Sequence, residues 1–208
     1  MPAHSPTHTT GNAPSTAEQA APQAAELCAR CSRMGNSCCV ADRKEAHLFF
    51  PLSQKEWERL QPYAHLTVLD HATLERQKPE EDCIRQSVAN SPEFLASMGR
   101  MFPAHGHRFE ALFPVPGKHF HIAVRHNGEC VFLGEEGCVL PREVRPWYCL
   151  LFPNWVHGNS LTNFVPTHCL VTQTGQYSMS ICRLLGTTPE EVRRLFACLC
   201  EDWGLVSK

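Results

Sequence analysis

Nowhere in the chain do about eighteen apolar residues run together, so no membrane-spanning helix is written into it. Positive charge is not in excess either. Lys and Arg number 19 against 21 Asp and Glu, a formal net charge of −2, which leaves no basic field to draw the chain onto nucleic acid or anionic lipid. The opening stretch MPAHSPTHTTGNAPSTAEQAAPQAAE lacks the basic and apolar regions of a secretory signal, so a cytoplasmic protein is expected. The equipment of familiar enzymes is missing as well: there is no Gly-rich phosphate loop, no G-x-S-x-G elbow, no H-E-x-x-H pair and no repeat of solenoid period. With 43% hydrophobic and 19% charged residues, the composition is that of a folded domain.

What the chain has in abundance is cysteine, 12 residues in all. A reducing compartment keeps thiols reduced, so such a pattern points to metal ligation ahead of disulfides. Cysteine is also a small buried hydrophobe, and spacing must separate the two uses. Cys28-Ala-Arg-Cys31 is a short loop in which two thiolates can converge on one ion while backbone N–H groups stabilise their charge. Its rival, a thioredoxin-like redox pair, needs a βαβ setting that the preceding sequence does not offer. After six intervening residues stands the vicinal pair Cys38-Cys39. Adjacent side chains in extended backbone point to opposite sides, so the pair serves two sites, ligates different irons of one cluster, or divides into one ligand and one packing residue.

A second group follows at Cys130, Cys138 and Cys149, with Cys169 beyond it. Gly134 and Gly137 permit tight backbone between the first two, while Pro141 and Pro146 hold the next stretch out of regular helix. Arg142 and Arg145 either offset thiolate charge or are solvated surface. Cys83, Cys182, Cys198 and Cys200 lie outside both groups and read as buried thiols; His4 and His8 fall in the tail and outside the site, and His168 beside Cys169 reads as chance adjacency ahead of a substitute ligand.

Around these groups the pattern predicts an α+β domain with irregular cysteine-rich loops, short strands and several helices. Residues 1–22, rich in Ala, Pro, Thr and Ser, read as a disordered tail, and 23–208 as the domain, with its core at 28–170. AHLFFPL has strand length, and Ser53 with Glu56 has capping-box spacing ahead of Trp57 and Leu60. Ser91-Pro92 starts a helix carrying Phe94, Leu95, Met98 and Met101 or Phe102. HFHIAVRHNGECVFL reads as two strands joined at Asn127-Gly128. A closing helix at about 188–203 has Thr188 and Glu191 as a second capping box and Val192, Leu195, Phe196 and Leu199 as its packing face.

The two groups resemble the zinc- or iron-chelating cysteine-cluster family, the YkgJ-like proteins. Cys28, Cys31, Cys38 and Cys39 match its opening group. Cys130-Val-Phe-Leu, Gly137-Cys138, Arg145-Pro146-Trp147-Tyr148-Cys149 and Phe152-Pro153 match its second segment, and Cys169 takes the late position. The departures are the six residues between Cys31 and Cys38, Leu150 after Cys149, and Leu170 after Cys169. The resemblance implies chelation of zinc or an iron–sulfur cluster by these eight cysteines. It also implies kinship with the cysteine-rich module of flagellin lysine methylases, which keeps a metalloenzyme or iron–sulfur redox protein in view. A disulfide-stapled structural protein is the third reading. The metal ion is the one partner expected; a protein partner is not identified.

Overall fold

The first backbone N–H groups of a helix need acceptors, and this is where sequence and structure agree most closely. The computed structural model describes residues 27, 29–35, 38–41, 45, 49–164, 169–173 and 178–205. In it, Ser53 Oγ accepts from the Glu56 N–H at 3.2 Å and Glu56 Oε2 from the Ser53 N–H at 2.9 Å, starting α1 (Gln54–Leu60) with the expected capping box. Asp70 caps the short α2 (His71–Leu74). Ser91 caps α3 (Pro92–Met101), whose Phe94 and Met98 are buried as the spacing predicts, and α4 (Gly106–Leu112) follows. After α5 (Trp147–Leu151), α6 (Leu170–Gln173) and α7 (Ser178–Leu184), the chain reaches α8 (Pro189–Asp202). Thr188 caps α8 by accepting from the Glu191 N–H at 3.2 Å, but the second half of the expected box is diverted. The Glu191 carboxylate instead holds Arg194 in a two-pronged contact at 2.8 Å.

The strands form three separate antiparallel pairs: β1 (Arg85–Ala89) with β2 (Lys118–Ile122), β3 (Leu133–Gly134) with β4 (Gly137–Cys138), and β5 (Asn154–His157) with β6 (Ser160–Asn163). Mixed with the helices along the chain, they make an α+β fold. The hairpin predicted about Asn127-Gly128 is much reduced. A turn is present, but its flanks meet through the single bridge Val124 to Cys130, and β2 pairs instead with β1, Gln86 lying opposite His121. Two features hid β1: its buried positions include Gln86 and Ser87, and Gln86 is there because its amide binds both the N–H and the C=O of Val124. Of AHLFFPL, residues 46–48 lie outside the described residues; Phe49 to Leu52 run irregularly, with the Leu52 N–H on the Phe120 carbonyl at 2.7 Å. Residues 1–22 also lie outside them.

Two apolar clusters result. One is aromatic, joining Phe94, Phe102, Phe109, Trp155 and the face of α8 at Val192, Leu195 and Leu199; Phe102 and Trp155 meet edge to face at 5.2 Å. Cys182 and Cys200 belong to it, as the buried-thiol reading expects. The other gathers Leu52, Leu60, Ile84, Cys130, Val131, Phe132 and Leu140, with Cys39 and Cys138 packed against it. Cys149 sits on α5, whose Leu150 and Leu151 belong to the first cluster. Cysteines predicted on loops therefore ride on regular elements as well: Cys138 on β4 and Cys149 on α5.

His119 is 4% exposed and stacked on Phe94 at 4.0 Å, with Nδ1 on Asn90 Oδ1 at 2.8 Å. Burial, aided by the charge of His121, lowers its pKa from 6.5 to about 4. The unfolded chain therefore binds the proton first as pH falls. His119 stabilises the fold fully above pH 6.5, loses that contribution as pH drops toward about 4, and adds no further slope below it. Urea unfolding at stepped pH is expected to show a loss of roughly 3 kcal/mol across the window that is absent in His119→Gln.

Candidate metal centre

Cys39 and Cys130 face each other because the backbone is clasped on either side of them. Val40 and Glu129 form an antiparallel bridge, flanked by the Ala41 N–H on the Gly128 carbonyl at 2.9 Å and the Cys130 N–H on the Cys39 carbonyl at 2.7 Å. Residues opposite one another in such a ladder share a face, whereas neighbours along the chain alternate. Cys39 is half-buried and within electrostatic reach of the buried Cys130, while Cys38 is exposed. This separates the vicinal pair into one inward and one outward thiol. Gly128 makes the clasp possible: at φ +88°, a Cβ there would lie 2.3 Å from the Ala41 carbonyl oxygen.

Cys138 arrives opposite Leu133 on the β3–β4 pair, and Cys149 from α5. The four sulfurs of Cys39, Cys130, Cys138 and Cys149 lie within electrostatic reach of one another. Burial is the main cause raising the Cys130 pKa, followed by Cys39, with Cys138 adding to it. Cys138 is raised by burial, with Cys39 contributing. Cys149 retains exposed surface, yet the dense protein around its sulfur pushes its pKa well above the ordinary thiol range, and Cys39, Cys130, Cys138 and Glu56 push it further.

Opposing groups are built in beside them. The Phe132 N–H donates to the Cys130 sulfur and the Leu140 N–H to that of Cys138, the same two-residue step in each case. The Arg125 and Arg145 cations favour the thiolates of Cys130 and Cys138 respectively. Arg145 is also a brace, with Nη2 on the Cys138 carbonyl at 3.2 Å and Nε on that of Leu140 at 3.0 Å, whereas Arg142 is exposed. The two arginines that the sequence left undivided thus have different roles.

The other sequence-predicted ligands stand apart or at the rim. Cys31 belongs to a helical stretch, residues 29–33, tied to the β3–β4 pair by Ser32 Oγ on the Gly134 carbonyl at 2.9 Å and Arg33 on Glu136 at 2.8 Å. Cys38 and Cys149 both raise the pKa of Tyr148, behind burial as the main cause, and Tyr148 stacks on Phe50 at 4.4 Å. Cys169 is half-buried just ahead of α6, and Cys28 and His168 lie outside the described residues. Among the described residues, no three His, Cys, Asp or Glu side chains are assembled as they stand to hold a metal ion, and no disulfide joins the cysteines. The sulfurs of Cys39, Cys130, Cys138 and Cys149 are near one another but not drawn to coordination geometry.

Glu56 is the residue whose role the sequence concealed. Beyond capping its own helix, the carboxylate accepts the Trp147 N–H through Oε1 at 2.8 Å, so one buried side chain, 2% exposed, starts both α1 and the helix that carries Cys149. Burial raises its pKa against the lowering effect of those N–H groups. Arg59 reinforces the junction, with its guanidinium 4.1 Å above the Trp147 ring and Nη2 on the Arg145 carbonyl at 3.1 Å. A shallow cavity of about 370 Å³ between α4 and the end of α8, lined by His107, Arg108, Ala111, Leu112, Trp203 and Gly204, contains none of these groups.

Removing Glu56 strands two buried N–H donors. Glu56→Ala is expected to cost about 3 kcal/mol in urea unfolding of the reduced protein. Glu58→Ala, which removes an exposed contact to Gln54 on the same helix, should change stability by no more than about 0.5 kcal/mol. Among the described residues no helix is long and apolar enough to cross a membrane. No family model, curated protein or solved structure gives a match to this chain.

Proposed function

We propose that the chain is a metal-binding protein whose centre is built on Cys39, Cys130, Cys138 and Cys149 and takes zinc or an iron–sulfur cluster, as in the cysteine-cluster family that it resembles. The observation that carries this reading is that four thiols from four segments lie within electrostatic reach of one another, three of them packed with one apolar cluster and the fourth on a helix packed with the other. Without a cation between them, four such groups repel as thiolates and stay protonated; a soft or borderline metal removes that conflict and is the ordinary partner of clustered thiolates. Backbone N–H groups on the Cys130 and Cys138 sulfurs and the nearby Arg125 and Arg145 suit the dianionic centre that four thiolates make with either metal form.

Bound zinc would supply a closed structural tetrahedron, and a cluster would supply one-electron chemistry. The chain's own part is to hold the ligands. Glu56 sets the start of α5, the Gly128 clasp sets Cys39 against Cys130, and Arg145 steadies the chain on both sides of β4. Cys28, Cys31, Cys38 and Cys169 complete the eight ligands proposed from the resemblance. Their places are a second site or the rim of the first.

Anaerobic purification followed by elemental analysis tests the proposal. Stoichiometric zinc in a colourless protein, or iron with sulfide in a brown one, is the expected outcome, and Cys149→Ser should lower the bound metal while Cys198→Ser keeps it. Protein that carries neither metal and takes up neither on reconstitution would refute it.

A further inference from the structure

The same register that brings Cys39 and Cys130 together makes them chemically more than two members of a ligand set. In an antiparallel ladder, directly opposite residues whose backbones exchange a hydrogen bond have Cα atoms about 5.5 Å apart. Disulfides span Cα separations of about 4.4–6.8 Å. The Cys130 N–H to Cys39 carbonyl bond of 2.7 Å, next to the Val40 to Glu129 bridge, places this pair in such a register with both side chains on one face. Cys38 alternates away from it, Cys138 reaches the pocket from a different strand pair, and Cys149 from a helix. Cys39 is partly accessible, whereas Cys130 is buried.

We infer that Cys39 and Cys130 form a dithiol–disulfide switch, closed by a hydroperoxide when the pocket holds no metal and blocked when metal occupies both sulfurs. The accessible Cys39 sulfur attacks the peroxide. The O–O bond breaks, the distal oxygen leaves as alcohol or water with the thiol proton, and Cys39 becomes a sulfenic acid. The Cys130 sulfur then attacks the Cys39 sulfur, the S–O bond breaks, and hydroxide leaves with the Cys130 proton as water. Two thiols and one hydroperoxide thus yield one disulfide, one alcohol and one water, with two electrons passing from sulfur to the peroxide. Since the disulfide removes two of the four inward thiolates, oxidation and metal retention are mutually exclusive. That coupling rests on the function proposed above; the cross-link itself does not.

The test uses the full chain, reduced and prepared in two forms, zinc-loaded and metal-stripped with a chelator under anaerobic conditions. Each is exposed to hydrogen peroxide, alkylated and mapped by mass spectrometry. The metal-stripped form is expected to yield linked peptides containing Cys39 and Cys130, two hydrogens lighter than the separate pair, also in a Cys38→Ser variant. The zinc-loaded form should cross-link more slowly and lose zinc in step with the cross-link. Alkylation of both thiols, or linkage of Cys39 to Cys38, Cys138 or Cys149 in place of Cys130, would overturn the switch, and it would do so even if zinc binds. A Cys39–Cys130 linkage in a protein that never takes up metal would uphold the dithiol pair while refuting the metal reading.

Discussion

Thiols gathered in a small, poorly hydrated volume resist ionisation, and the groups around them are arranged about that constraint. Cys39 raises the proton affinity of Cys130, Cys138 and Cys149, behind burial as the main cause, and the polypeptide brings them together all the same. A fold keeps such an arrangement only where other interactions over-determine it. Here they are the Gly128 clasp, the Arg145 brace and two N–H groups directed at sulfur. None of these is a large stabilising term alone. Together they act on the segments that carry Cys39, Cys130 and Cys138 and leave them little freedom.

The two apolar clusters each carry part of the cysteine group. The β-side cluster presents Cys39, Cys130 and Cys138, while the aromatic cluster anchors α5 through Leu150 and Leu151 and so presents Cys149. Glu56 spans the junction. Its carboxylate is shared between the start of its own helix and Trp147, 91 residues further along the chain, which links the position of Cys149 to the integrity of α1. Lys55 and the Trp147 indole extend the junction to α8 by meeting opposite oxygens of Asp202, at 3.1 and 2.7 Å. Disturbance at any of these contacts should therefore be felt at the thiols and in global stability alike.

Local signals were the legible part of the sequence. Ser53, Ser91 and Thr188 each cap the helix that their spacing announces, and the stripe from Val192 to Leu199 packs as its period requires. What escaped was decided by partners far along the chain. Glu191 had two possible partners, and Arg194 won over its own helix cap. β1 carries buried Gln86 in place of an apolar residue because its amide is satisfied by Val124, thirty-eight residues away. Asn127-Gly128 does make a turn, but the strand before it finds a better partner in β1. The vicinal cysteines posed a problem that alternation alone could state and only the register with Glu129 and Cys130 could answer. The burial of Glu56 left no trace in the sequence, since a capping-box glutamate is ordinarily solvent-facing.

Clustered thiols are meaningful as a centre only if they bind metal through sulfur. X-ray absorption at the metal edge of the anaerobically purified chain measures this directly. The expected result is a first coordination shell made of sulfur, diminished when Cys39, Cys130, Cys138 or Cys149 is replaced by serine. A first shell of nitrogen and oxygen alone, unchanged by those replacements, would contradict the assignment.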